Sequence, residues 1–238
     1  MNGNHLEQPP SHTPTRTPTR SPAGSIAPPY QDDKIIFVDL FNVGRSIACE
    51  ALTKLYGALT RRANLPWRIA KVDSAGLFVR NRSNVYELIK SLPCSPPGIR
   101  GKKAEALVHS KQPPKDEAME ALSADYNNKP FNYPYPEKER IRASLAARRS
   151  RGLKRDVFAM FGFVVVFTEK EYDNVVKLKD ALKMRDGDGV AEGKGKVMLL
   201  GEDWVKDAEW DAKVKNMKTL LKKHLFRQEM GWLEPGKS

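Results

Sequence analysis

Ile35-Ile36-Phe37-Val38-Asp39-Leu40-Phe41-Asn42-Val43-Gly44-Arg45-Ser46 passes from an apolar, β-branched run into a short polar loop. A helical pattern then begins, with Ala48, Ala51, Leu52, Leu55 and Leu59 three or four residues apart. A short continuous apolar run reads as a strand buried on both faces. The segment is therefore a strand, a tight loop and a helix start. Backbone N–H groups and the positive helix end face such a loop, and Arg45 can offer a bidentate contact to an anion.

The same alternation continues along the chain. Trp67 to Val72 reads as a second strand ending at Asp73-Ser74-Ala75-Gly76, and Phe163-Val164-Val165-Val166-Phe167 as a third. A helix follows through Val175, Val176, Leu178, Ala181 and Leu182, then a glycine-rich turn over Gly187 to Gly195. Lys196 to Leu200 reads as a fourth strand, and Trp210, Val214, Met217, Leu221 and Leu225 form the stripe of a last helix. Strands separated by helices predict parallel crossover units: a four-stranded parallel open α/β sheet with flanking helices. Ligands bind at the carboxyl ends of the strands in such sheets, which points to Asp39 to Ser46.

Two regions fall outside this alternation. Residues 1–32 hold seven prolines, many Ser and Thr and little to bury, so a disordered tail is expected. Thr13, Thr17 and Ser21 each precede proline there and are phosphorylation candidates. Residues 93–136 carry repeated proline breaks and read as an insertion, with a short helix within Lys111 to Tyr126. The domain is thus expected over 33–230, followed by a tail over 231–238.

The loop resembles the phosphate loop of low-molecular-weight protein tyrosine phosphatases. That family has Cys, five residues, then Arg-Ser, with Asn inside the loop and Ala-Glu-Ala soon after. Asn42, Arg45, Ser46 and Glu50-Ala51 match this pattern. Asp73-Ser74-Ala75-Gly76 stands where the family has an Asp-Ser-Ala-Gly strand end. Arg155 to Phe161 is similar to the family's approach to its third strand, and Lys196 to Gly201 to its fourth. The resemblance covers roughly 34–82 and 145–226. It implies the four-stranded fold, an anion-binding loop of Asn42, Val43, Gly44, Arg45 and Ser46, and support from Asp73 and Ser74.

Departures from the family pattern set the expected function. Asp39 stands in place of the nucleophilic Cys, which works as a thiolate in an electropositive cradle. Asp39 is assigned to neutralising Arg45, and not to attack. Phe41 replaces a Gly and is expected to crowd the loop, and Gly44 replaces a second Cys. No Asp-Pro supplies the general acid; Asp203 and Asp207 are the substitutes, more simply read as helix caps. A pseudophosphatase acting as a binding or regulatory module follows. Residual tyrosine phosphatase activity is one alternative. A metal-dependent PIN-like ribonuclease is the other: Asp39-Leu40-Phe41-Asn42 resembles its opening, with Asp73, Glu169 and Asp203 as further carboxylates.

Composition frames the partners. The 238 residues hold 41 Lys and Arg against 29 Asp and Glu, a net charge of +12. This favours an acidic or phosphorylated protein partner, or nucleic acid along the basic stretch Lys138 to Arg155. Two cysteines without CxxC spacing exclude a disulfide framework and a structural zinc site. No run approaches the roughly 20 apolar residues of a membrane span. The amino terminus lacks the basic end and apolar core of a secretory signal, so a cytoplasmic or nuclear protein is expected. No cofactor or metal is expected.

Overall fold

Phe37 and Val38 are fully buried in the middle of the sheet, and their strand, β1 (Asp33–Asp39), carries the architecture. The computed structural model describes residues 33–62, 67, 69–80, 82, 85–92, 113–120, 135–186, 195–201 and 210–221. Chain order is β1, α1 (Arg45–Arg62), β2 (Ile69–Gly76), α2 (Val85–Ser91), α3 (Tyr135–Ala146), α4 (Val157–Met160), β3 (Phe163–Val166), α5 (Glu169–Asp186), β4 (Lys196–Leu199) and α6 (Trp210–Leu221). The four strands form one parallel sheet in the order β2-β1-β3-β4. The predicted fold class is the observed one.

Alternate residues of the strands feed two apolar layers. Ile35, Phe37 and Val165 pack with the apolar residues of α1, α3 and α6. Ile36, Val38, Val164 and Val166 pack with α2, α4 and α5 on the other face. Residues of a strand alternate between faces, so a central strand covered by helices on both sides is apolar throughout. In α1, Ile47, Ala48, Ala51, Leu52, Leu55 and Tyr56 are all buried, as their spacing predicts. Its buried threonines return their hydroxyls to the preceding turn: Thr53 Oγ1 donates to the Cys49 carbonyl and Thr60 Oγ1 to that of Tyr56, both at 2.8 Å. Among the described residues, no helix is long and apolar enough to cross a membrane.

The sheet order explains where a site forms. From β1 the chain moves to β2 on one side, then returns to β3 on the other. The loop after β1 therefore sits where the winding reverses, the crevice in which open α/β sheets bind ligands. Asp39 lies in register with Gly76 at the ends of their strands. Beyond that pair, Leu77 N–H donates to the Asp39 carbonyl at 2.8 Å and Phe78 N–H to the Leu40 carbonyl at 2.9 Å.

Gly76 is required by this close approach. A Cβ there would lie 2.8 Å from the Phe41 carbonyl carbon, 2.9 Å from Asn42 N and 2.6 Å from a Val79 methyl. Gly76→Ala is expected to cost about 1–3 kcal/mol, read from the urea midpoint at unchanged m-value. An unaltered midpoint would mean that the loop has room to retreat.

Several expectations fall outside the described residues: the tail with Thr13, Thr17 and Ser21, most of 93–136, Asp203, Asp207, Gly187 to Lys194 and everything after Leu221. Within the insertion, residues 116–120 are helical. The basic stretch is not a single helical face. α3 ends at Ala146, and the following segment makes a single parallel bridge to the end of β2 at Gly76 and Gly152, where Gly76 N–H donates to the Arg151 carbonyl at 2.7 Å.

Candidate functional site

Asp39 ends β1 with its side chain turned into the loop, 5% exposed. Oδ1 accepts from the backbone N–H of Phe41 at 3.2 Å and of Asn42 at 2.5 Å, and Oδ2 from that of Ser46 at 3.1 Å. Three main-chain donors thus converge on one carboxylate, the last at the start of α1, where the helix dipole adds positive potential. The loop's donors thus surround an acceptor, and that acceptor is the protein's own side chain.

Asn42 shapes the loop. Among the described residues it is the one non-glycine residue with positive φ, at 55°, a conformation that Asn tolerates better than most. Its fully buried amide donates to Ser46 Oγ at 3.0 Å and Ser74 Oγ at 2.8 Å, and accepts from Arg151 N–H at 3.1 Å. This one side chain ties the loop to α1, β2 and the 148–155 segment. The left-handed turn falls on Asn42, and Phe41 is buried in the apolar layer that holds Ile36 and Val38 while also lining the pocket over the loop.

The ion pair of Arg45 differs from expectation. Arg45 donates not to Asp39 but to Glu171 Oε1 at 2.5 Å, and lies 5.2 Å over the Phe167 ring. The carboxylate of Asp39 is satisfied by backbone donors, whereas Glu171 is a buried acid facing the loop across the β1–β3 crevice. Glu171 is held there by the start of α5. Its Oε2 accepts from Phe167 N–H at 3.0 Å and Thr168 N–H at 3.1 Å, and its own N–H donates to Thr168 Oγ1 at 3.2 Å. That is a capping box. The sequence reading missed Glu171, although Thr168-x-x-Glu171 ahead of an apolar run is a legible sign of one.

Burial pushes the Glu171 carboxyl up from 4.5 to about 7, against the pull of Arg45 and with a further push from Asp39. Between these values the unfolded chain has released a proton that the folded chain keeps, so this acid's contribution falls as pH rises from about 4.5 to about 7. Glu171→Gln should remove that slope, at most about 1.4 kcal/mol per pH unit, in urea unfolding across the same range. Equal slopes in both proteins would contradict a raised Glu171.

Behind the loop lies a second charged group. Glu50 is 1% exposed and accepts from Lys54 at 2.5 Å and from Arg148. Arg148 also donates to Asp73 Oδ1 at 2.8 Å, and Arg151 pairs with the same oxygen. Burial raises the Glu50 carboxyl, with Lys54 lowering it. Arg148 therefore points inward as a brace, while Arg151 reaches Asp73 from an exposed position and Arg142, Arg149 and Lys154 stay exposed.

The front of the loop opens into a pocket of about 190 Å3 lined by Asp39, Val43, Gly44 and Arg45, with Lys115 and Lys213 at its edge. Lys115 arrives from the insertion, its N–H donating to the Val43 carbonyl at 2.8 Å. Neither lysine was singled out from sequence, because nothing local marks them. Cys49, one turn into α1, offers no substitute nucleophile. It is fully buried and burial pushes its thiol well up, with Arg45 pulling the other way.

No family model and no curated protein matches this chain. Solved structures similar to it include a YwlE mutant from Bacillus subtilis, 18% identical with a TM-score of 0.42, the match covering 80% of this chain and 95% of that one. The low molecular weight protein tyrosine phosphatase from T. tengcongensis is 13% identical with a TM-score of 0.46, over 80% and 96%. The Erwinia amylovora tyrosine phosphatase amsI is 16% identical with a TM-score of 0.43, over 81% and 91%. These likenesses are distant, and nothing about activity follows from them.

The further carboxylates of the ribonuclease alternative are dispersed. Asp73 is engaged by two arginines, Glu169 is exposed at the start of α5, and Asp203 lies outside the described residues. Among the described residues, no group of three or more His, Cys, Asp or Glu is placed to hold a metal ion.

Proposed function

We propose that this chain is a pseudophosphatase: a phosphatase-like binding module whose anion loop is occupied by its own carboxylate. The observation that supports the reading is the set of three loop N–H donors on Asp39. Attack on phosphorus needs a cradle whose donors are open to a phosphate dianion. Here three loop N–H donors are taken up by the Asp39 carboxylate, and a negative charge lies at the base of the pocket. A cradle neutralised internally repels phosphate from its floor, whereas its rim of Lys115, Lys213 and Arg45 still attracts anionic groups. The partner class that suits this rim is an acidic or phosphorylated protein.

Hydrolysis of an aryl phosphate by the full chain, with chelator and separately with Mg2+, tests the proposal. No wild-type turnover is expected under either condition. Metal-independent turnover abolished by Arg45→Ala would overturn the reading in favour of residual phosphatase activity. Metal-dependent RNA cleavage lost in Asp39→Asn would overturn it in favour of the nuclease. Asp39→Cys in the same assay asks whether the cradle accepts a thiolate and turns over.

A further inference from the structure

On the Ile36 face of the sheet, away from the mouth of the loop, a larger pocket of about 460 Å3 lies between the end strand β2 and the 150–161 segment. Its lining shares no residue with the pocket over Asp39. The volume falls within the roughly 300–1,000 Å3 typical of small-molecule sites. The floor is apolar: Ile36 and Ala75 from the sheet, Val79 from the turn after β2, and Val157 and Phe161 from the ends of α4, all buried. Met160 stands beside them, 42% exposed. Charge surrounds this floor unevenly. Lys71, Arg80, Arg82, Arg151 and Lys154 are five cations against the two carboxylates Asp73 and Asp156.

The cations come from three separate stretches of chain and converge on one concavity. Lys71 leans over the Phe161 ring, its Nζ 5.2 Å from the centroid, so its charge is held at the apolar wall. Arg80 pairs with Glu87 at 3.7 Å and Arg151 with Asp73, and Arg82 and Lys154 stand exposed with Arg151 at the rim. A bare oxyanion would satisfy the rim and leave the floor wet. A neutral apolar molecule would cover the floor and ignore a surplus of positive charge. Only a ligand with both parts matches the lining, because burial of its apolar body and attraction of its charged head then act together. We infer that this pocket binds a small organic anion, a flat or branched apolar body carrying one sulfonate, phosphate or carboxylate head. Base stacking by a nucleic acid strand fits less well, since Phe161 is only 7% exposed and already covered by Lys71.

The test uses naphthalene-1-sulfonate as probe, titrated into the isotopically labelled full chain and followed by backbone amide shifts. Saturable binding at one probe per chain is expected, with shifts in 71–80 and 150–161. Inorganic sulfate, which lacks the body, and naphthalene-1-sulfonamide, which lacks the charge, should each bind at least about tenfold more weakly. The double variant Arg82→Glu, Lys154→Glu changes two exposed rim charges and should weaken the sulfonate about tenfold or more while leaving the amide spectrum otherwise intact. Shifts confined to Asp39 to Ser46, equal affinity in the double variant, or no saturation would each overturn the inference.

Discussion

Asp39→Ala is expected to lose about 3 kcal/mol of unfolding free energy in buffer free of oxyanions, and to regain part of it in inorganic phosphate. The loss follows from leaving the Phe41, Asn42 and Ser46 N–H groups without their acceptor. An orphaned buried donor costs about 1–3 kcal/mol, and water entering from the pocket offsets some of the total. Phosphate at about ten times its dissociation constant should restore about 1.4 kcal/mol by mass action, because it binds only the folded cradle. Wild type, with the carboxylate in place, should show no such gain. The same variant removes one of the charges raising Glu171, so that acid should titrate at lower pH. Urea unfolding with and without phosphate measures both effects. Destabilisation that phosphate does not touch would mean the loop closes when the carboxylate goes, and the carboxylate would then be a structural brace instead of a resident anion.

Arg148→Ala should cost about 3–5 kcal/mol, the range for removing one partner of a buried charge pair. Arg148 is 12% exposed and joins Glu50 of α1 to Asp73 of β2. Without it Glu50 keeps Lys54 and a hydrogen bond from Ser74 in a site where burial already disfavours its charge. Protonation relieves that strain, so the penalty should be smaller near pH 5 than near pH 8, the sign expected of a carboxyl raised by folding. Arg148→Lys should recover only part of the loss, because a point charge cannot reach both carboxylates as a planar fork does. A deficit under about 1 kcal/mol at either pH would show that water reaches Glu50 and that the pair is effectively a surface one.

The two variants probe the two faces of one loop. Asp39 fills it from within, and Arg148 and Arg151 brace β2 and α1 behind it. Asn42 connects them, since its amide reaches Ser46, Ser74 and the Arg151 backbone. The loop is thereby tied to α1, β2 and the 148–155 segment through one side chain.

The four strands and the principal helices were legible because each rests on local periodicity. Val164, Val165 and Val166 make a strand buried on both faces wherever they pack, and the α1 stripe announces one apolar side. The bounds moved only slightly: β2 starts at Ile69, not Trp67, and β3 stops at Val166. Asp39, Asn42, Arg45 and Ser46 were legible as a loop because they are neighbours in the chain, and Asp73-Ser74 because the loop resembles one that has such a strand beside it.

Partners were another matter. Arg45 finds Glu171 across 126 residues, and Arg148 finds Glu50 and Asp73 across 98 and 75. From sequence alone Asp39 was the acid within reach of Arg45, and the basic stretch was a single charged run. Apolar patterning is decided by which face of an element is covered, and a period of two or of 3.6 residues records that directly. A charge pair has no such period. It depends on which elements meet, on the rotamers of long side chains, and on a dielectric that burial sets. The strands, helices, loop and the Asp39 carboxylate within it were therefore written in the order of residues, while the acid that holds Arg45 was decided only when β1, β3 and α5 came together.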